Sequence, residues 1–299
     1  MGTTISNAYI TDVIDGDTVK VRIDRRRETV RMGSVDTEES RPGGAKPITK
    51  LGMEAALMAK QYFTTGSGEF TPVDLEFDTD ESIENCFTRH RDNYGRLICY
   101  VYREGESFNL KLIRDGWSPY FVKYGRSRTY HTAFTDAEAE AQAVGRHIWD
   151  PFANAGGPSR DYTALLPWWA WRAHIVEEYR GRGIEAGALS VRLDYRRILE
   201  AADSNERITV LCDLQNGIAW WPGDGALVKA GSKFQPFNLW IPNAKSERVI
   251  PLIRLIEKRY AGYGMGYVYV IGNVKKYRGV PEIEVTDLSQ LNDFPPPAG

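Results

Sequence analysis

The sequence predicts a mostly β, α+β chain. It should form a small closed barrel with three helices, then a helical linker, then a second small barrel. Three observations point there. Short alternating apolar segments separated by charged turns fill the first hundred or so residues. DPFANAGGPSRDY at 150–162, rich in Gly, Pro and small residues, breaks that pattern. From residue 207 the alternation returns, with one helical stretch among the strands. The expected domains are 1–150, 151–205 and 206–299.

Residues 8–14, 17–23 and 28–35 read as a three-stranded meander, with RRRE at 25–28 as a solvated hairpin tip or a contact to a phosphate backbone. SRPGGAKPITK at 40–50 reads as a loop. Leu51, Ala55, Leu57, Met58, Ala59, Tyr62 and Phe63 recur at helical spacing. VDLEFD at 73–78 is a strand, and 79–91 reads as an extended hairpin carrying His90, a bland loop histidine, a proton donor or a metal ligand. LICYVYREGESF turns at Glu104-Gly105, and FNLKLIRDG is a helix ended by Gly116. A last helix covers 131–148. Five strands and three helices suit a closed barrel of the OB type.

PWWAWRAHIVEEYRGRG reads as a helix whose tryptophans form a packing face or a stacking platform, and LSVRLDYRRILEAADS as another. RITVLCDL and GIAWW read as a hairpin, and FNLWIP as a strand. SERVIPLIRLIEKRYAG is a helix with Ser246 as N-cap candidate. GYVYVIGNV and PEIEVTD are strands joined by KKYRG. Three strands, a helix and two strands is the OB order.

The 299 residues, 42% of them hydrophobic, can fill two cores. No apolar run reaches the roughly 18 residues of a membrane span, so no membrane partner is expected. The opening MGTTISNAY lacks the features of a leader peptide, which predicts a cytoplasmic protein, or a secreted or periplasmic one if a leader has been trimmed away. Cys86, Cys99 and Cys212 are too few and too scattered for a disulfide framework. A net charge of −2 excludes bulk attraction for a polyanion, so any nucleic-acid binding must come from local patches and a metal.

The chemistry gathers around RMGSVDTEE at 31–39, where Arg31 precedes Asp36, Thr37, Glu38 and Glu39. A second acidic turn, Asp15-Gly16-Asp17-Thr18, lies upstream, and Arg96 lies downstream in DNYGRLICYVY. Carboxylates offer oxygen ligands to hard cations. Guanidinium forks stabilise the charge that builds on phosphorus. A metal-assisted phosphodiester hydrolase needs both.

The ordered segments VIDGDTVKV, VRMGSVDTEES, GMEAALMAKQY, VDLEFD, DNYGRLICYVY, FNLKLIRDGWS and AEAEAQAVGRHIWD resemble the staphylococcal nuclease (thermonuclease) family over roughly residues 8–150. The resemblance implies a Ca²⁺-dependent nuclease acting on DNA and RNA. It would cleave the 5′-O–P bond to leave 3′-phosphates, with single strands preferred over duplex. It places one Ca²⁺ on Asp17, Asp36 and the Thr37 carbonyl. It makes Glu39 the residue that activates water, and Arg31 and Arg96 the phosphate clamps. Tyr94 and Tyr124 fall at nucleotide-binding positions.

Three positions depart from the family pattern. Glu38 stands where proline is usual, Val122 replaces one of a tyrosine pair, and Asn93 replaces a lysine. Lys46 and Lys50 are expected to touch the substrate backbone at most weakly.

The ending YVYVIGNVKKYRGVPEIEV resembles nucleic-acid-binding OB modules. The single-strand candidates there are Lys275, Lys276, Tyr277 and Arg278, then Trp240, Tyr267, Tyr269, Lys229 and Lys233. The alternative reading is a catalytically weak or inactive nuclease-like scaffold that binds nucleic acid or a protein. The sequence does not set the oligomeric state.

Overall fold

The computed structural model describes residues 2–42, 46–214, 217–232, 234–261 and 266–297. The chain divides into two units, Met1–Asp92 with Arg96–Trp169, and Asn93–Gly95 with Ala170–Gly299.

In the first unit, β1 (Thr3–Asp15), β2 (Thr18–Ile23) and β3 (Arg26–Met32) form the predicted meander. α1 (Lys50–Phe63), β4 (Pro72–Phe77), α2 (Ile83–Arg89), β5 (Leu97–Arg103) and β6 (Glu106–Ser107) follow. α3 (Phe108–Arg114) and α4 (His131–Ala143) complete the domain. β1 pairs with both β2 and β4, β5 pairs antiparallel with β4, and β3 pairs parallel with β5. These ladders close the five-stranded barrel. Val19, Val21, Val30, Met32, Leu75, Phe77, Leu97 and Val101 alternate inward along it, as a half-buried strand requires.

The local departures have local causes. β1 starts five residues earlier than its apolar alternation, because TTISN pairs with β4 around an irregularity at Asn7. The hairpin tip falls at Asp24-Arg25, with Asp24 at φ 50°, so Arg26 and Arg27 belong to β3. The predicted extended hairpin at 79–91 contains α2, capped by Ser82, whose Oγ accepts the Asn85 N–H. α4 stops at Ala143 because Gly145 and His147 adopt positive φ.

α5 (Tyr162–Glu178) opens in the first unit. Its first residues begin well before Pro167, because Asp161 accepts the N–H groups of Thr163 and Ala164.

The second unit is sheet-rich. β7 (Leu189–Ser190) and α6 (Tyr195–Asp203) precede β8 (Arg207–Asp213), β9 (Ile218–Trp221), β10 (Gly225–Lys229) and β11 (Asn238–Ile241). α7 (Ile250–Leu255), β12 (Tyr267–Tyr277), β13 (Val280–Glu284) and β14 (Leu291–Asn292) end it. β8 does not form a hairpin with β9. It pairs with β12, while β9 pairs with β10, a strand not expected from GALVK. β10 pairs with β11, β11 runs parallel to β13, and β13 pairs antiparallel with β12. If β8 and β9 are counted as one interrupted strand, this repeats the ladder order of the first unit.

α7 starts at Ile250 with no side-chain cap, so Ser246 does not cap it through its hydroxyl; Pro251 in its first turn sets the start. No helix among the described residues is long and apolar enough to cross a membrane. Cys86, Cys99 and Cys212 are buried free thiols.

Candidate active site

The site is built where the β1–β2 turn meets the end of β3. Thr18 faces Arg31 across the β2–β3 ladder, and the Met32 N–H donates to the Asp17 carbonyl at 2.9 Å. After β3 the chain turns at Ser34, with φ 61°, and Val35 bridges to Tyr120. This carries Asp36 back toward Arg31. The Asp36 N–H donates to Ser118 Oγ at 2.7 Å.

Arg31 joins the two acidic turns. Its Nη1 lies 3.0 Å from Asp17 Oδ2 and its Nη2 lies 2.6 Å from Asp36 Oδ1. Nη1 also donates to the Val35 carbonyl at 2.8 Å, which fixes the plane of the fork. Burial alone would lower the Arg31 pKa, but the carboxylates of Asp17 and Asp36 hold it above its ordinary value. Tyr124 packs edge-on against Phe121, whose N–H donates to the Ser34 carbonyl at 2.9 Å.

Asp36 is buried, and burial by itself would favour its neutral form. Lys46, Arg160 and Arg31 outweigh that and hold its carboxyl well below the usual carboxylate range. Lys46 Nζ lies 2.9 Å from Asp36 Oδ1 and 3.2 Å from Glu39 Oε1. It is therefore inside the acidic cluster, closer to the chemistry than a weak contact with a substrate backbone. Lys50 pairs with Glu54 instead, at 3.8 Å. Asp15 lies behind this cluster. Burial first, and the nearby Asp17 charge second, push its carboxyl up to about 6.

Thr37 is buried, and its N–H donates to Asp17 Oδ2 at 2.9 Å. Its Oγ1 is buried with no hydrogen-bond partner. Arg96 is held by Asp92, whose Oδ2 lies 2.6 Å from Nη2. Its Nη1 reaches Thr18 Oγ1 at 3.4 Å, and that hydroxyl donates to Asp17 Oδ1 at 2.9 Å. Both clamp candidates thus connect to Asp17, Arg31 directly and Arg96 through one hydroxyl.

The adjacent glutamates separate cleanly. Glu38 is 1% exposed and is bound by Thr49 Oγ1 at 2.5 Å, Asn154 Nδ2 at 2.9 Å and Tyr162 Oη at 3.2 Å. The Glu39 side chain is 33% exposed and faces Lys46. Thr49 caps α1 by accepting the Gly52 N–H, so helix and acidic turn are tied together. Gly52 lies so close that a Cβ there would be 2.2 Å from the Glu39 carbonyl oxygen.

Sequence reasoning missed Arg160, Asn154 and Tyr162, which lie within the stretch 150–162 offered as a linker. Arg160 Nη2 lies 2.8 Å from Asp36 Oδ2, and its Nη1 donates to the Asp36 carbonyl at 3.3 Å. Tyr162 and Trp169 join Leu51 and Ile148 in a small apolar cluster beside α1. Trp169 therefore packs, while Trp171 is exposed.

Tyr94 is 74% exposed, on the turn that leads into Arg96. His90 Nε2 lies 3.2 Å from Glu81 Oε1. In the second unit the KKYR stretch is mostly strand, because β12 runs to Tyr277 and only Arg278-Gly279 turns, both at positive φ. Lys275 pairs with Glu284 at 3.3 Å and Lys276 with Asp203 at 2.5 Å, and the Arg278 guanidinium lies over the Tyr277 ring. Tyr267 and Tyr269 are buried, so they fill the core instead of offering a stacking face. Lys233 lies outside the described residues.

The model of the staphylococcal nuclease homologue family matches residues 29–151. The thermonuclease of Staphylococcus hyicus is 33% identical over 139 residues, 46% of this chain and 72% of that protein. The chain belongs to the staphylococcal nuclease homologue family. The thermonuclease of Staphylococcus intermedius is 32% identical over 139 residues, 46% of the chain and 73% of that protein. Endonuclease YncB of Bacillus subtilis (strain 168) is 31% identical over 143 residues, 48% of the chain. The chain spans only 61% of YncB. The family match runs from residue 29 to residue 151, so Asp17 lies before it and Arg160 after it.

Among the described residues no three His, Cys, Asp or Glu side chains converge as a closed cation site. The donor set is an open one of two carboxylates sharing one guanidinium, with an orphaned buried hydroxyl on Thr37 beside them. All of these donors are oxygens, which suits a hard divalent cation completed by water and substrate.

Proposed function

We propose that the chain is a Ca²⁺-dependent nuclease that hydrolyses phosphodiester bonds of DNA and RNA, single strands best, leaving 3′-phosphate and 5′-hydroxyl ends. The observation that carries this reading is the Arg31 fork bridging Asp17 and Asp36, with Arg96 linked to the same Asp17 through Thr18. Asp17, Asp36 and the Thr37 carbonyl would hold the cation. Bound there, it would supply Lewis-acid stabilisation of charge on the phosphoryl group. Glu39, the partly exposed carboxylate of the cluster, would accept the proton of the attacking water. Arg31 and Arg96 would stay protonated and stabilise the charge that develops on phosphorus. Tyr94 and Tyr124 would contact the nucleotide.

The second unit is read as an OB-like module that holds single-stranded nucleic acid. Its ladder order and the helix between β11 and β12 support this. So does an outer sheet face where Leu227 pairs with Trp240, and Gly225 pairs with Trp221 beneath the Trp240 ring. Lys229, Lys275, Lys276, Tyr277 and Arg278 are exposed nearby in the ladder or on the β12–β13 hairpin. Single strands bind such surfaces by stacking and backbone charge. Tethering would raise the local substrate concentration at the first unit.

The test is cleavage of single-stranded DNA and RNA in Ca²⁺, Mg²⁺ or EDTA, with mapped product ends. Calcium-dependent cleavage leaving 3′-phosphates supports the reading. Oligonucleotide binding without cleavage in any metal would move the chain to the scaffold class. Replacing Trp221 and Trp240 by Ala should raise KM for long strands and leave KM for dinucleotides unchanged. Equal KM values for long strands would remove the binding role of that face.

A further inference from the structure

We propose that Arg160 is a third phosphate-binding arginine of the site, supplied from beyond the family-matched residues. It pairs with Asp36 and turns to the substrate phosphate when a divalent cation takes Asp36 as ligand. The inference rests on the nuclease reading above and names a substrate-positioning residue for it.

The first argument is charge. Asp36 carries one negative charge and touches three cations, Arg31 and Lys46 on Oδ1, and Lys46 and Arg160 on Oδ2. Arg31 is also paired with Asp17, and Lys46 with Glu39. Among the described residues the one ion pair of Arg160 is with Asp36. A cation held by Asp17 and Asp36 draws on the carboxylates that pair both Arg31 and Arg160, while Lys46 keeps Glu39. Arg160 is then freed for an anion together with Arg31.

The second argument is placement. The Arg160 side chain is only 8% exposed, and its guanidinium lies 5.4 Å from the ring centres of both Tyr162 and Trp169. Those residues are anchored. Tyr162 bonds Glu38, Trp169 packs edge-on against Phe121, and Asn154 bonds both Glu38 and the Leu51 N–H. Released from Asp36, the guanidinium stays beside the cluster and cannot swing far into solvent. An anion arriving there meets a planar fork whose geometry suits phosphate.

The third argument is Glu38, a buried glutamate. Two of its three partners, Asn154 and Tyr162, flank Arg160 in sequence. Glu38 and the segment carrying Arg160 are therefore tied together.

The test uses the full chain and two readouts that do not depend on turnover. The first is calorimetric titration of Ca²⁺ without substrate for wild type, Arg160→Ala and Arg160→Lys. Removing a competing cation should tighten Ca²⁺ binding about tenfold in the alanine variant, with lysine nearer wild type. The second is binding of a single-stranded oligonucleotide in Ca²⁺ by Glu39→Gln with and without Arg160→Ala. The double variant should bind about tenfold more weakly. A lower Tm in Arg160→Ala with both affinities unchanged would overturn the proposal and leave Arg160 as a structural pin. Absence of Ca²⁺ binding by wild type would overturn it too. Failure of the nuclease reading is seen separately, as wild-type protein that binds Ca²⁺ and oligonucleotide and cleaves nothing.

Discussion

Glu38 and Glu39 are neighbours in sequence and opposites in environment. Glu38 is sealed under three hydrogen bonds, while Glu39 faces Lys46 at the rim of the acidic cluster. Their substitutions should therefore separate. Glu39→Gln should lower kcat by about 10²–10⁴-fold, the usual contribution of a positioned general base, with Tm unchanged. Glu38→Ala strands the Thr49, Asn154 and Tyr162 donors and should cost about 1–3 kcal/mol of stability. Thermal melts and initial rates on the same two preparations decide it. A kcat loss confined to Glu38→Ala would reverse the assignment.

Arg96 reaches the cluster through Thr18, so two changes there should differ in kind. Arg96→Ala should lower kcat by about 10²–10³-fold, the scale of losing one preorganised charge-stabilising donor. Thr18→Val, which breaks only the relay, should cost less in kcat, and the same rate measurements compare the two. Equal losses would mean that Arg96 acts by holding Asp17 instead of meeting phosphate.

Gly52 sets how closely α1 approaches Glu39. Alanine is the better helix former by roughly 1 kcal/mol. At this position its Cβ would be 2.2 Å from the Glu39 carbonyl oxygen, and overpacking typically costs about 1–3 kcal/mol. The clash should win. Gly52→Ala should lower Tm and, by displacing Glu39, lower kcat more than KM changes. A raised Tm with wild-type kcat would show that the approach has slack.

Glu138 provides a pH signature of its own. Its Oε1 accepts the Tyr120 N–H at 2.8 Å, and burial raises its pKa despite that bond. The folded state therefore holds this proton more tightly than the unfolded chain. Its stabilisation is complete below the ordinary glutamate range and is lost as pH rises through the raised value. Glu138→Gln keeps the acceptor and removes the charge. It should melt higher than wild type at pH 7, and the gap should narrow toward pH 4. A gap that widens on acidification would reverse the sign.

The acidic turns were legible because their chemistry is local. DGD and DTEE announce tight carboxylate-bearing turns, and the β2–β3 ladder that sets Thr18 opposite Arg31 follows from alternation alone. The parallel pairing of β3 with β5 is non-local, and only the ordered likeness to a family signalled it. Arg160 carried no such signal. Gly, Pro and Asn in its vicinity report irregular backbone, but composition cannot say whether that backbone trails into solvent or folds back onto Asp36. Tyr162 and Trp169 were visible as aromatics, and their partner Leu51 lies more than a hundred positions away. In the second unit, β10 was missed because GALVK alternates too briefly. Its neighbours then paired wrongly in the reading, with β8 assigned to β9 instead of β12.

The three cysteines give the molecule built-in chemical reporters. Cys86 and Cys99 lie inside the first unit and Cys212 inside the second, all buried and unbridged. Burial pushes the Cys99 and Cys212 thiols well above their ordinary range, so they are neutral and inert while folded. A thiol-reactive dye can therefore modify them only as each unit opens. Peptide-resolved labelling along a denaturant ramp would time the two openings within a single sample, with no added probe and no substitution.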